Sequence, residues 1–255
     1  MGLFNIFKSL VSSTKKLDVN KLPSQGLFYR EDFSIKIKKA DIEDIIDYEH
    51  KFDKTNLIKS IDCIKKVVNK NVILSEGYSY MDIKSVDIIF IFLEIVKHTN
   101  NKDIIVPYVN KIGKEDFVSF GTDNFNYFKF DDYMENYDPV KDEFLIDDYR
   151  FSLPSIGVET ALTDYLATKT DDEEIKRLNK ASYNFMFFLG YKNWLSFSEI
   201  DNLLYIFNED LDTEELDKIK RIVEIFKGIV GYSLIVDGEE VEVRSKINLQ
   251  DIWKS

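Results

Sequence analysis

The sequence predicts an α+β protein that is mainly helical, with a β-rich central insertion and a C-terminal β-hairpin. Apolar residues recur at helical spacing before residue 100 and after residue 158, and strand-like segments fill the region between them. An Asp-Gly pair at 237–238 separates two apolar segments and predicts the hairpin. With 44% apolar and 31% charged residues the composition is globular, and 10 glycines and 4 prolines are too few for a barrel or sandwich built from many tight turns.

Residues 1–20 are predicted to form an amphipathic N-terminal arm. Lysines lie on the side opposite to four large apolar residues at helical spacing, Leu3, Phe4, Phe7 and Leu10. Two interpretations stay open for this arm: a helix packed on its own domain, or a docking helix for a partner protein. In the second interpretation these four side chains are partner-binding residues.

Residues 21–100 are predicted to form a domain with one strand and several helices. The segment from Phe33 to Ile37 alternates apolar and polar residues, as a half-buried strand does. Asp41 follows it at a position suited to cap a helix. The inner face of that helix is assigned to three isoleucines, Ile42, Ile45 and Ile46.

Two more helices follow in the same domain. The first is predicted over 55–68, and its inward residues are Leu57, Ile58, Ile61, Ile64, Val67 and Val68. The second is predicted over 82–97 and is apolar nearly all round, which is typical of the central helix of a domain.

Residues 101–157 are predicted to form a β-rich insertion that is acidic and aromatic. Its predicted strands cover 104–109, 116–119, 127–130, 144–146 and 149–153. Between Asp123 and Asp148 there are nine acids, two lysines and seven interleaved aromatics. Either this segment is a partner surface with aromatic anchors in an acidic rim, or its aromatics pack into the core. The anchors in the first interpretation are Tyr127, Phe128, Phe130, Tyr133 and Tyr137.

Residues 158–255 are predicted to form a helical C-terminal part that ends in the hairpin. The predicted helices cover 158–168, 172–189, 197–208 and 213–230, and the hairpin strands cover 232–236 and 240–243. At the start of this part, Leu153-Pro154-Ser155-Ile156-Gly157 repeats the pattern of Leu22-Pro23-Ser24-Gln25-Gly26. Each copy lies beside a predicted strand and precedes a helix, although five residues are too few to establish a repeat.

The sequence contains no recognisable catalytic, cofactor-binding or metal-binding motif. The single cysteine, Cys63, lies in an apolar-periodic segment and is assigned as a buried structural thiol. His50 and His98 fall near predicted helix ends and have no second ligand at metal-binding spacing. The glycines form no phosphate-binding loop, and the acids are too scattered to single out a catalytic pair.

Charge and hydropathy restrict the partners. The chain carries 34 basic and 46 acidic residues, so its formal charge is −12, and we expect it to repel nucleic acid. The longest apolar run, Ile88–Leu93, has six residues, whereas a membrane helix needs about 20. We therefore expect no membrane partner, and a single thiol favours synthesis in a reducing cytoplasm.

One motif carries a family resemblance. Leu22-Pro23-Ser24-Gln25-Gly26, followed by Phe28-Tyr29, a strand and a helix entered through acidic residues, resembles the opening of the baseplate hub and hub-assembly proteins of T-even-type contractile-tailed bacteriophages. The order of the later helices, the β-rich insertion and the second Leu153-Pro154 is similar to that family over residues 20–230. Some members carry cysteine pairs in the insertion that look like a zinc ribbon, whereas this chain has no cysteine there.

The resemblance implies a non-enzymatic structural or assembly role in the baseplate hub of a viral tail. The implied partners are other baseplate hub or tail proteins, with the tape-measure protein as a further candidate. The implied location is the virion tail, after synthesis in the host cytoplasm. Three alternatives stay open: a tail-assembly chaperone absent from the mature virion, a tail-associated peptidoglycan hydrolase with paired carboxylates, and a stand-alone cytosolic binding protein.

Overall fold

The structure, a computed structural model, confirms the α+β class. Helices and small antiparallel sheets alternate along the chain. The residues that it describes are 14–27, 29–119, 125–126, 135–141, 143–146, 149–169, 213–229, 233–237, 239–241, 249–250 and 252–254.

Five α-helices lie within these ranges, and they are α1 (Ile42–Lys51), α2 (Leu57–Asn71), α3 (Ile88–Asn100), α4 (Ile156–Ala167) and α5 (Thr213–Ile229). Single 3-10 turns occur at Val19–Lys21, Tyr80–Asp82, Ser85–Asp87 and Ile252–Lys254. The predicted helices over 172–189 and 197–208 fall outside the described residues.

The strands form three sheets of three strands, ordered β1-β2-β3, β7-β8-β9 and β11-β10-β6, and a separate hairpin, β4-β5. Every pairing is antiparallel. The strand bounds are β1 (Lys15–Lys16), β2 (Ile35–Ile37), β3 (Val72–Leu74), β4 (Ile105–Val109), β5 (Glu115–Ser119), β6 (Phe125–Asn126), β7 (Tyr137–Asp138), β8 (Glu143–Ile146), β9 (Tyr149–Phe151), β10 (Ser233–Val236) and β11 (Glu239–Val241).

Three of the helices, α1, α2 and α4, begin at an N-cap residue whose side chain accepts a hydrogen bond from the first turn. The Asp41 carboxylate accepts a hydrogen bond from the Asp44 amide at 2.9 Å, which confirms the predicted cap of α1. Asn56 caps α2 in the same way, and the Ser155 hydroxyl accepts from the Val158 amide at the start of α4. Each cap satisfies an amide that has no partner inside its helix.

The first sheet and α3 form the centre of the core. In β2, Ile35 and Ile37 are fully buried while Lys36 is exposed, so the alternation predicts this strand correctly. In α3, the run from Phe90 to Val96 is buried throughout, which confirms it as the central helix. β2 and α2 both pack against α3.

The central helix begins at Ile88, and the predicted start at residue 82 is wrong. Ser79 and Asp82 form a capping box around a single 3-10 turn, which ends before α3. The backbone after that turn bonds to the segment before α4: the Ser85 amide donates to the Pro154 carbonyl at 3.0 Å, and the Ile156 amide donates to the Ile83 carbonyl at 2.9 Å. These long-range bonds replace the bonds that a continuous helix would make.

The predicted inner face of α1 is wrong at two of its three positions, since Ile45 packs against the core as predicted but Ile42 and Ile46 do not. Ile42 is 71% exposed and Ile46 is also exposed, whereas Asp44 and Tyr48 are buried. Tyr48 packs on Phe92 of α3 with ring centroids 5.2 Å apart, and its hydroxyl donates to the Leu249 carbonyl at 2.8 Å. The face of α1 that carries Asp44 and Tyr48 therefore points to the core, and Ile42 and Ile46 face solvent.

One inward assignment in α2 is also wrong. Ile58 is 74% exposed because it lies in the first turn, beyond the part of the helix that packs on α3. Further along, Ile64, Val67 and Val68 are buried as predicted.

The insertion contains strands at the predicted positions 104–109, 116–119, 144–146 and 149–153, and it contacts the C-terminal part. Phe144 of β8 pairs with Phe151 of β9, and both rings are buried. The short strand β6 pairs with β10, so the insertion and the C-terminal hairpin share one sheet. The predicted strand over 127–130 falls outside the described residues.

We predict that two identical substitutions in α2 have very different effects. Ile64→Ala removes a buried side chain and lowers the free energy of unfolding by about 2–5 kcal/mol. Ile58→Ala removes an exposed side chain from the same helix and changes it by less than about 0.5 kcal/mol. Urea denaturation followed by circular dichroism measures both. Equal losses would contradict the orientation of α2.

Candidate functional site

A buried carboxylate, Asp87, lies at the start of α3. It has 0% exposed surface and is the last residue of a 3-10 turn. One oxygen accepts a hydrogen bond from the Ser24 amide at 2.8 Å, and the other accepts from the Tyr29 hydroxyl at 2.7 Å. The Tyr29 oxygen in turn accepts from the Lys84 amide at 2.8 Å. We call these four residues the Asp87 cluster.

The Leu22–Gly26 motif forms the turn that presents Ser24 to this carboxylate. Leu22 is buried, and the backbone turns through bonds from the Gln25 amide to the Leu22 carbonyl and from the Leu27 amide to the Ser24 carbonyl. Gly26 has φ of 74°, and a Cβ there would lie 2.6 Å from the Asn20 side-chain oxygen. Glycine avoids both the strain and the contact.

The second copy of the motif meets the same segment from another side. Lys84 forms a bridge with Ser155, and its ammonium group donates to the Leu153 carbonyl at 3.4 Å. Gly157 lies close to the Met81 backbone: a Cβ there would be 3.1 Å from the Met81 carbonyl oxygen. The similarity noted in the sequence therefore corresponds to two turns that contact one segment, residues 81–87.

Burial dominates the electrostatics of the Asp87 cluster. It raises the pKa of Asp87 to about 6, against the opposing effect of the hydrogen bonds from Tyr29 and Ser24 and the nearby Lys84 charge. Burial and the Asp87 charge together hold the pKa of Tyr29 well above its usual value. Because Asp87 has no exposed surface, a substrate cannot touch it in this conformation, and the cluster acts as a structural link between chain segments.

Most of the predicted partner-binding residues fall outside the described residues. These are Leu3, Phe4, Phe7, Leu10, Tyr127, Phe128, Phe130 and Tyr133. Tyr137 is described: it is half-buried in β7, with its ring centroid 5.1 Å from that of the buried Phe144. One part of the Tyr137 side chain thus packs on the core while another part faces solvent, and its role in partner binding stays a prediction.

Sequence reasoning missed an apolar surface on the β4-β5 hairpin. The register pairs Pro107 with Phe117 and Ile105 with Ser119, so Ile105, Pro107 and Phe117 share one face of the hairpin. Ile105 is 53% exposed and Phe117 is 61% exposed, and Ile112 in the turn is also exposed. We call Ile105, Pro107 and Phe117 the hairpin face. The sequence from Ile105 to Val109 is apolar throughout, which indicates a strand but does not tell which of its two faces is covered.

The residues considered for other chemistry occupy structural positions. His50 and His98 lie in the last turns of α1 and α3. Cys63 is buried, and its burial raises the pKa of the thiol, which disfavours the reactive thiolate. Within the described ranges, no three His, Cys, Asp or Glu side chains are grouped so as to hold a metal ion.

Comparison with models of known families, with curated proteins and with solved structures finds no match to this chain. Among the helices that the structure describes, none combines the length and the hydrophobicity needed to cross a membrane. Functional inference therefore depends on the geometry above and on the sequence resemblance.

We predict that Asp87 makes folding stability fall as the pH rises from about 4 to about 7. The folded-state pKa of about 6 exceeds the ordinary value of 3.8, so the protonated carboxyl is favoured in the fold. Its stabilising contribution is present below 3.8 and is lost as the pH passes about 6, by about 3 kcal/mol in total.

The measurement compares urea denaturation of the wild type and Asp87→Asn across this pH range. The amide cannot ionise, so the difference in unfolding free energy between the two proteins should change with pH by that amount. Glu76→Gln makes the same acid-to-amide change at an exposed position and serves as the reference for the effect of the substitution itself. A flat difference for Asp87→Asn would contradict the perturbed carboxyl.

Proposed function

We propose that this chain is a non-enzymatic structural or assembly protein of the baseplate hub of a contractile phage tail, and that it acts through protein–protein contacts. The resemblance at Leu22–Gly26 supports the family. The observation that carries the contact role is the hairpin face, because it exposes large apolar side chains on the insertion, in a part of it that precedes the predicted partner surface at 123–148.

The hairpin face has the composition of an interface centre with a polar rim. Ile105 and Phe117 supply apolar area that water would leave on binding, and the exposed Glu115 and Asp116 lie beside them in β5. Protein interfaces derive much of their affinity from a few such buried side chains. The net charge of −12 favours partners with a basic surface.

The motif supports the family for a physical reason. Its residues form a turn, with Leu22 and Ser24 buried, that bonds to Asp87 at the start of the central helix, so they have a structural role in the fold. A match at such residues carries more weight than a match at exposed positions, where composition alone produces similarities.

We predict that the protein is found with tail proteins in the phage particles of its source. Quantitative mass spectrometry of purified particles, beside the lysate, measures this. A few copies per tail indicate a resident hub subunit, and abundance in the lysate without any in particles indicates an assembly factor. A source that yields no phage particles would contradict the proposal, and clearing of a peptidoglycan zymogram by the purified chain would contradict its non-enzymatic part.

We predict that Ile105→Asp combined with Phe117→Asp reduces recovery of hub proteins by about tenfold or more, because charge on the apolar face opposes desolvation. Affinity purification of the tagged chain from infected cells measures the recovery. Phe4→Asp combined with Phe7→Asp tests the arm in the same assay. Ile42→Asp combined with Ile58→Asp is the control, since these isoleucines are even more exposed than Ile105 and Phe117 but lie outside the insertion.

Loss of recovery with the control pair would mean that added charge acts without regard to position. If the Ile105→Asp, Phe117→Asp variant recovers hub proteins as well as the wild type, the hairpin face is removed from the proposal. The same result with the Phe4→Asp, Phe7→Asp variant would remove the arm.

A further inference from the structure

An open cleft of about 660 Å³ lies between the end of α1 and the first half of α2. Four lysines line it: Lys51, Lys54, Lys59 and Lys66. Phe52 and Cys63 contribute apolar surface, and Gln250 approaches from the C-terminal segment. We call this site the lysine cleft.

Most of the positive charge in the lysine cleft is not paired with the described part of the chain. Lys51 forms an ion pair with Asp47 one turn away, but Lys54, Lys59 and Lys66 form none with any residue in the described ranges. All three are exposed.

Two acids, Asp53 and Asp62, are also among the described residues that line the cleft, so the three lysines outside the Lys51–Asp47 pair exceed these acids by one. Asp53 is already engaged, because it accepts hydrogen bonds from the amide and the hydroxyl of Thr55 at 3.0 and 2.6 Å. Gathering like charges in one place opposes folding, and an anion in the cleft would relieve that repulsion.

We propose that the lysine cleft binds an acidic peptide segment of a partner protein. Lysine ammonium groups are point charges on flexible stems, and they can each turn toward a separate carboxylate. The half-buried Phe52 adds apolar contact for the segment. In a chain of net charge −12 this cleft is a local exception, and it would draw an acidic segment to one place on the surface.

The cleft fits a peptide better than a nucleic acid. None of the described residues that line it is an arginine, the side chain whose planar fork best matches phosphate. At the nearby start of α2, the Lys59 amide is already bonded to the Asn56 side chain at 3.1 Å, so this donor is not open to a phosphate. The overall negative charge also repels a long phosphate backbone. The proposal does not depend on the baseplate role, since binding can be measured without knowing the partner.

The experiment measures fluorescence anisotropy of a short labelled peptide in which glutamates alternate with glycine and phenylalanine. The wild-type chain should bind it, with an affinity that falls as salt is added. The triple variant Lys54→Glu, Lys59→Glu, Lys66→Glu should bind at least about tenfold more weakly. The matched control, Lys39→Glu, Lys102→Glu, Lys114→Glu, makes the same change in net charge at exposed lysines outside the cleft and should bind within about twofold of the wild type.

Circular dichroism checks that each variant is folded, and glutamine replaces glutamate at the three cleft lysines if charge reversal prevents folding. No binding by the wild type, equal loss in the control, or full binding by the cleft variant would each overturn the proposal. Tighter binding of a labelled single-stranded DNA of equal charge would overturn the assignment to an acidic peptide.

Discussion

The two hydrogen bonds that hold the buried Asp87 carboxylate connect parts of the chain that are far apart in sequence. A carboxyl group without exposed surface strongly destabilises a fold unless donors surround it, and here the donors come from Ser24 and Tyr29, about sixty residues earlier. The Tyr29 oxygen also accepts a hydrogen bond from the Lys84 amide. Lys84 and its neighbour Ser85 in turn donate hydrogen bonds to the Leu153 and Pro154 carbonyls, just before α4. The start of the central helix is thereby held from two sides, and displacing either turn would leave a buried polar group without a partner.

The central helix needs such support because it is covered on every side. Ile35 and Ile37 of β2 are buried beside it, and Phe92 makes aromatic contacts with Tyr48 of α1 and with Trp253 at 5.2 and 5.8 Å. Even its one buried acid, Glu94, is paired, with the Lys15 ammonium at 2.6 Å. A helix that is apolar all round can be stable only where sheet, helices and C-terminal segment all reach it, so the polar links at its start also position these elements.

Features of the fold that depend on neighbouring residues could be predicted from the sequence, whereas features that depend on contacts between distant residues could not. Asp41 and the alternation in β2 act within a few residues, and both could be predicted from the sequence. The orientation of α1 could not be predicted in this way. Tyr48, and not Ile42, is buried against the core, and its partners Phe92 and Leu249 are remote in sequence. Asp87 likewise appears in the sequence as an ordinary acid before a helix, and only the long-range contact with the Leu22–Gly26 turn makes it a buried link. The hairpin face was missed because β4 is apolar throughout, so its sequence does not tell which of the two faces the protein covers.

The two proposed binding surfaces, the hairpin face and the lysine cleft, differ in chemistry: the first is apolar and the second is charged. The hairpin face offers apolar area, which contributes affinity but discriminates poorly among partners, because apolar side chains accept many neighbours. The lysine cleft offers charge of the opposite sign to the rest of the molecule, which contributes little affinity at exposed positions but selects a partner and its orientation. A partner that carried both an apolar patch and an acidic segment would satisfy the two surfaces together, and linking two weak contacts in one molecule makes the second contact effectively intramolecular. Under that arrangement neither surface would need high affinity by itself for the combined interaction to be specific.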